Sequence, residues 1–301
     1  MLFNSPIQYN TPIFRPPSEA QSILIQVTIG CSNNMCTYCD MYRSKKYRVR
    51  EISEIKDEII NLKNYFEQAG ITPRRFFLCD GDALGAPFNI LKETLLQLNA
   101  SFPGLERVGI YATAQNMLDR SPEELKTLVQ LKCSIAYLGL ESGADEVLHR
   151  IVKRNTQADM IEGSLKLIQS GFKLSVIAML GIGGRELSGK HVKETINVIS
   201  KISPHYFSFL TTMAIEGTPY FRQVTKGTIQ ELTAKEMFVE MRDILNGIKP
   251  NRDIIFRANH VSNQYPLGGI LPQDQERLIN TLDQWIEQTP EGVYPPKPST
   301  M

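Results

Sequence analysis

Residues 23–29, Ile-Leu-Ile-Gln-Val-Thr-Ile, run into Gly30-Cys31-Ser32-Asn33-Asn34-Met35-Cys36-Thr37-Tyr38-Cys39, and this junction decides how the rest of the chain is read. The first seven residues are mostly apolar and β-branched, which predicts a strand. The loop that leaves it carries three cysteines within nine residues, of five in the chain. Beyond the loop, Ile52, Ile55, Ile59, Leu62, Phe66 and Ala69 recur at spacings of three and four, and Gly70 follows. That periodicity predicts an amphipathic helix with a glycine stop. The unit is therefore strand, functional loop, helix.

The unit repeats along the chain. Apolar strands are expected at 75–78, 108–111, 135–138, 174–180 and 206–210. Helical patterns fall between them, after Pro87 with Leu91, Leu95 and Leu98, over 156–170, and around Val192, Ile196 and Ile199. Ser121-Pro122-Glu123-Glu124 has a serine cap, proline in the first turn and glutamate three residues after the cap, the pattern of a helix start. Strands that alternate with helices pair in parallel through crossover helices. The expected fold class is α/β, and a partial (β/α)6 TIM-type barrel is preferred to an open doubly wound sheet. Before it, residues 1–21 contain Pro6, Pro12, Pro16 and Pro17 and are read as a short extended N-terminal arm. Residues 22–214 form the barrel. Residues 215–301 form a C-terminal helical extension, with a helix capped by Thr233, a short strand at 254–256, a helix at 275–287 and a loose tail from Pro290.

Composition sets limits on function. Hydrophobic residues make up 42% of the 301 and charged residues 22%, ordinary proportions for a globular protein. The net charge of +1 gives no basic stripe of the kind that binds nucleic acid generically, so no nucleic-acid partner is expected. Arg43, Lys45, Lys46, Arg48 and Arg50 lie close together and are read as a solvated loop. No secretory signal opens the chain and no apolar run approaches the roughly 18 residues that span a bilayer. A cytoplasmic protein without a membrane partner is expected.

In parallel sheets and barrels, ligands bind at the carboxyl ends of the strands. Here those ends carry the cysteines, then Asp80-Gly81-Asp82, Thr113 with Gln115 and Asn116, Glu141-Ser142-Gly143, Gly181-Ile182-Gly183-Gly184, and Thr211-Thr212. The cysteine spacing admits three metal centres. One is a [4Fe–4S] cluster on Cys31, Cys36 and Cys39 with one iron open. Another is a [2Fe–2S] cluster with Cys79 as fourth ligand. The third is structural zinc, which also needs a fourth ligand. Cys79 and Cys133 sit in apolar strands and are read first as core residues. His149, His191, His205 and His260 are all remote from the loop in sequence.

The motifs together resemble those of radical S-adenosylmethionine enzymes, with a first cysteine gap one residue longer than the usual family spacing. Tyr38 matches the aromatic residue before the third cysteine, which in the family sits near the adenine. Asp80-Gly81-Asp82 lies where the family holds the methionine amino group. The segment 137–143 is similar to that of the branch containing Elongator-type, methylthiotransferase and nitrogenase-cofactor proteins, where Glu141 and Ser142 would face the ribose and methionine. Lys153, with Arg150 and Arg154, lies where that branch offers a positive group to the carboxylate. Gly181 and Gly183 match the glycine motif beside the adenine. Thr113 joins this set as a cofactor contact. The resemblance implies a [4Fe–4S] cluster and S-adenosylmethionine as cofactors, an oxygen-sensitive centre, and reductive cleavage to a 5′-deoxyadenosyl radical that abstracts hydrogen from a substrate. It also implies a reductant such as flavodoxin or ferredoxin.

The chain lacks an acetyltransferase domain, a cobalamin domain and cysteines for a second cluster, so a stand-alone, single-cluster enzyme acting on a small molecule is expected. The alternatives are a maturase or modifying enzyme acting on protein or RNA, and a [2Fe–2S] or zinc protein using Cys79. His260, within the polar run 257–263, is the one candidate catalytic residue, as a proton donor. Thr211, Thr212 and Glu216 are further candidates for substrate contact.

Overall fold

The strand expected at 23–29 breaks in two. In the computed structural model, which describes residues 6–295, β1 (Ile23–Gln26) ends before Val27. Thr28–Ile29, β2, leaves it to pair antiparallel with β3 (Arg48–Val49). This two-stranded ribbon brackets residues 30–47, the stretch that contains all three clustered cysteines. Residues 1–5 of the expected arm and 296–301 of the expected tail lie outside the described residues.

The chain divides into two units. The first takes in the chain up to Asn34, then Met41–Leu138 and Leu165–Lys173. Besides β1 to β3 it holds α1 (Ile52–Gln68), β4 (Arg75–Cys79), α2 (Phe88–Ser101), β5 (Arg107–Ala112), α3 (Ala114–Asp119), α4 (Pro122–Gln130) and most of β6 (Cys133–Glu141). Strands β1, β4, β5 and β6 are hydrogen-bonded in that order and all parallel, with Ile25 opposite Leu78, Phe77 opposite Gly109, and Tyr111 opposite Tyr137. Phe76 to Cys79 are all fully buried, as expected of a parallel strand covered on both faces. α1 buries Ile55, Ile59, Leu62 and Phe66, the face that the periodicity picks out. The capping box at Ser121 is present, its hydroxyl accepting from the Glu124 N–H at 3.1 Å.

The arm is tied along β1. Tyr9 Oη donates to the Leu24 carbonyl (3.1 Å), and Asn10 and Gln26 exchange two hydrogen bonds of 2.8 and 3.0 Å. It is not extended throughout: Pro17–Glu19 make a 3-10 turn. Glu19 is buried there, accepts from Tyr137 Oη (2.5 Å) and pairs with Arg107 (2.9 Å).

The second unit holds Met35–Asp40, Gly139–Ser164 and the chain from Leu174 onward. Its elements are α5 (Asp145–Arg150), the start of α6 (Gln157–Gln169), β7 (Lys173–Leu180), α7 (Gly184–Ile202), β8 (Tyr206–Thr211), α8 (Pro219–Thr225), α9 (Ala234–Gly247), β9 (Ile254–Ala258), β10 (Leu267–Leu271) and α10 (Gln275–Gln288). β7, β8 and β9 are parallel, and β10 closes that edge antiparallel to β9, with Gly269 opposite Phe256. α9 packs against both α7 and α10. The six strands read from the sequence are thus all present, in a mostly parallel α/β arrangement. The C-terminal part is not wholly helical, because β9 and β10 extend the sheet there.

Candidate cofactor site

In the first unit the strand-end acid Asp80 serves the cysteine loop. It is fully buried. Its Oδ2 accepts the Gly30 N–H at 2.8 Å and pairs with Lys45 Nζ at 2.7 Å, while Oδ1 accepts from Gln26 Nε2 at 3.1 Å. Lys45 Nζ also donates to the Asn10 carbonyl at 2.6 Å. One carboxylate therefore fixes both ends of the stretch that begins at Gly30 and returns at Lys45. A buried ion pair persists only with such full hydrogen bonding. The Gly81 N–H donates to the Gly30 carbonyl at 3.1 Å, and a Cβ at Gly81 would lie 2.8 Å from the Tyr42 ring and 3.0 Å from Cys31 Cβ. Only glycine lets the β4 end lie this close to the loop. Asp82 is buried beside them. Nothing in the sequence marks Lys45 or Gln26 as a partner of Asp80, since a lysine in a basic run reads as solvated. Of that run, Arg50 is also engaged, bidentate to Glu58 at 2.8 and 2.7 Å. Thr113 caps α3, accepting from the Asn116 N–H at 3.2 Å.

In the second unit, residues 35–40 are held by backbone bonds. The Thr37 N–H donates to the Ile151 carbonyl (2.9 Å), and the Tyr220 N–H donates to that of Thr37 (3.0 Å). Cys36 Sγ lies 3.9 Å from the Val152 carbonyl. Tyr38 packs on the cluster of Ala144, Val147, Ile151, Ile182 and Tyr220. Burial, then Glu141 and the two neighbouring cysteines, raise its phenol well above the usual range, and its side chain hydrogen-bonds Glu141. Glu141 in turn pairs with Lys153 at 2.9 Å. Three of the expected cofactor residues, Tyr38, Glu141 and Lys153, thus form one chain of contacts. Ser142 is fully buried and hydrogen-bonded to His191 Nδ1 at 2.8 Å. The Gly181 N–H donates to Glu240 Oε1 at 2.6 Å, and the Gly183 carbonyl accepts from Arg150 at 2.9 Å.

His260 is half-buried, which lowers its imidazole pKa. Its Nδ1 accepts the Ser262 N–H at 3.2 Å and lies 2.8 Å from Ser262 Oγ, which itself accepts the Thr211 N–H at 3.1 Å. Ser262 O–H therefore donates to Nδ1, and His260 is a neutral imidazole carrying its proton on Nε2. Thr211 Oγ1 is bonded to Asn263 at 3.1 Å.

The cysteines differ in surroundings. Cys31, Cys36 and Cys39 are partly exposed, whereas Cys79 and Cys133 are fully buried, and burial pushes both of those thiols well above their ordinary value. Both buried cysteines lie within strands, Cys79 at the end of β4 and Cys133 at the start of β6. Among the described residues, no three or more His, Cys, Asp or Glu side chains converge as a finished metal cage. The donor set nevertheless fits an iron–sulfur cluster in its chemistry: three soft, accessible thiols on one loop, clamped at its base. No helix among the described residues is long and apolar enough to cross a membrane.

A family model described as the Radical SAM superfamily matches residues 25–199. The chain is 23% identical to the heme chaperone HemW of Bacillus subtilis, over 73% of this chain and 58% of that one. It is 28% identical to the tRNA-2-methylthio-N(6)-dimethylallyladenosine synthase of Clostridium novyi, over 68% of this chain and 45% of that one. It thus spans about half the length of these curated relatives. Among solved structures, it resembles the Methanocaldococcus infernus Elp3 with an N-terminal deletion, at TM-score 0.53 and 15% identity, over 89% of this chain and 63% of that one. It also resembles the coproporphyrinogen III oxidase HemN of Escherichia coli, described as a radical SAM enzyme, at TM-score 0.52 and 12% identity, over 89% and 52%. The likeness shows the fold, the mostly parallel α/β class expected from the strand–helix alternation.

Proposed function

The chain belongs to the radical SAM superfamily, whose cofactors are a [4Fe–4S] cluster and S-adenosylmethionine, and from that premise we propose that it is a working enzyme that cleaves S-adenosylmethionine reductively. The single observation that carries the reading is the clamp on the cysteine loop. A fully buried carboxylate, Asp80, is committed to Gly30 and Lys45 on either side of the cysteines, which is costly unless the loop must hold one shape.

Cys31, Cys36 and Cys39 would hold the cluster. When bound, the reduced cluster supplies an electron to the sulfonium and so a carbon radical for hydrogen abstraction. The protein's own residues bind and orient. Tyr38 gives an apolar face with its hydroxyl tied to Glu141. Glu141 and Lys153 set opposite charges side by side for the polar end of the nucleotide. The buried loop from Gly181 to Gly184 is held in place by Glu240 and Arg150 and would line the nucleotide with backbone. Asp80 acts as a clamp in this reading, not as a nucleotide contact. His260 would offer its Nε2–H as a hydrogen-bond donor. A flavodoxin- or ferredoxin-type reductant is the proposed electron source.

A small molecule is the first substrate reading. A nucleic-acid substrate stands beside it, because relatives are named for tRNA. Binding without turnover is the third outcome, because one relative is named a chaperone. The test is anaerobic incubation of cluster-loaded protein with S-adenosylmethionine and dithionite. The enzyme reading predicts 5′-deoxyadenosine and methionine in equal amounts. Loaded protein that binds the nucleotide but never forms them, with either class of candidate substrate present, contradicts it.

A further inference from the structure

His191 lies on α7 and Glu240 on α9, and the catalytic reading above uses neither. Both are buried, at 0% and 2% exposure. His191 Nε2 has no hydrogen-bond partner and faces Glu240 Oε1 at 3.6 Å, too far for a hydrogen bond. The facing carboxylate favours the tautomer with the proton on Nε2. Nδ1 then accepts from Ser142 O–H at 2.8 Å, while Ser142 Oγ accepts the Ala144 N–H at 3.1 Å. Glu240 is committed on both oxygens: Oε1 takes the Gly181 N–H at 2.6 Å and Oε2 takes Ser188 O–H at 2.5 Å. A parallel tie runs from the Gly143 N–H to Thr195 Oγ1 on α7 at 3.1 Å. Gly143 sits so close to α7 that a Cβ there would collide with the Glu194 carbonyl.

Two loops at strand ends, 141–143 after β6 and 181–184 after β7, are therefore each tied to a helix, the first to α7 through His191 and Thr195 and the second to α9 through Glu240, and the two helices pack on one another. Neither tie is needed for the helices themselves. α7 and α9 already bury apolar faces, Val198, Ile199 and Ile202 on one and Met237, Phe238, Met241 and Ile244 on the other. Where buried polar groups are satisfied, as at Ser142 and at both oxygens of Glu240, they fix the geometry of what they join. Glu240 also lies beyond the 25–199 stretch matched by the family model.

We infer that His191 and Glu240 are positioning residues that lock the two S-adenosylmethionine-binding loops into one register. The inference rests on the reading that these loops hold the nucleotide. His191 sets the Ser142 side of the site and Glu240 sets the Gly181 backbone.

The experiment is titration of S-adenosylmethionine into anaerobically reconstituted full-length protein, with iron per chain and thermal unfolding recorded for every variant. His191→Ala and Glu240→Ala should each weaken nucleotide binding by about tenfold or more, with iron content unchanged and the loss appearing in the KM for the nucleotide more than in kcat. His191→Asn, which keeps a polar group where Nδ1 meets Ser142, and Glu240→Gln, which keeps an acceptor for the Gly181 N–H, should recover most of the loss. Folded, iron-replete alanine variants with wild-type affinity overturn the inference. If the alanine variants do not fold, Thr195→Val and Ser188→Ala each remove one tie at similar volume. Weaker binding in both supports the inference, and wild-type affinity in both overturns it. A wild-type protein that fails to bind the nucleotide sinks the functional reading instead.

Discussion

The most informative single residue is Lys45. In the sequence it belongs to a run of five basic residues over 43–50 and reads as a solvated cation. In the structure its side chain is 3% exposed and its ammonium is paired with Asp80. Replacing it with methionine leaves the Asp80 carboxylate buried without its counter-charge. Breaking a buried pair from one side costs about 3–5 kcal/mol, so Lys45→Met should lower the urea midpoint markedly and reduce the iron retained after reconstitution. Unchanged iron content would show that the clamp does not serve the cysteine loop. The cysteines themselves were legible because three thiols within nine residues have few other uses. The pairing of Asp80 with Lys45 was not. A strand-end aspartate looks the same in sequence whether it meets a ligand or a lysine thirty-five residues away.

At the scale of elements, periodicity and capping placed what depended on local sequence. α1 and α4 follow from their spacing and cap. β1 and β4 to β8 follow from apolar runs bounded by turns. The misses have local explanations. Thr113 and Asn116 form a capping box around the short helix α3, but among polar loop residues a Thr-x-x-Asn pattern has no apolar run to announce it. Gly268 and Gly269 hide β10, because glycine weakens any strand pattern and here the neighbouring strand supplies the order. The break after Gln26 comes from pairing with Arg48–Val49, which no window on residues 23–29 contains. Among the expected elements, α9 matters most for the site, since it carries Glu240. Its Thr233 cap accepts from the Glu236 N–H at 3.3 Å, and the Glu236 carboxylate accepts from the Thr233 N–H at 2.7 Å. Thr233→Ala should therefore cost about 1 kcal/mol, the usual worth of such a cap, measured as a fall in the urea midpoint. An unchanged midpoint would mean that packing alone holds the start of α9.

At the scale of the whole molecule, pH tests the buried histidines. Burial lowers the imidazole pKa of His191, against a smaller opposing effect of Glu240, and it also lowers that of half-buried His260. An unfolded imidazole takes up its proton near the ordinary value of 6.5, while the folded ones resist. The unfolded chain therefore binds more protons as pH falls through that value. The stability these groups contribute is present above 6.5 and is lost below it. Stability should decline as pH falls through about 6.5, and His191→Asn should flatten the decline. A decline of the same steepness in that variant would show that His191 keeps its proton as readily folded as unfolded.

The cluster and the nucleotide it binds belong to the intact protein, and electron paramagnetic resonance reads both together. The protein is purified and reconstituted without oxygen, reduced, and its electron paramagnetic resonance spectrum is recorded with and without S-adenosylmethionine, for wild type and for Cys79→Ala. The expected result is a [4Fe–4S] signal that changes when the nucleotide is added and persists in Cys79→Ala. A signal indifferent to the nucleotide, or a metal centre lost with Cys79, would contradict it.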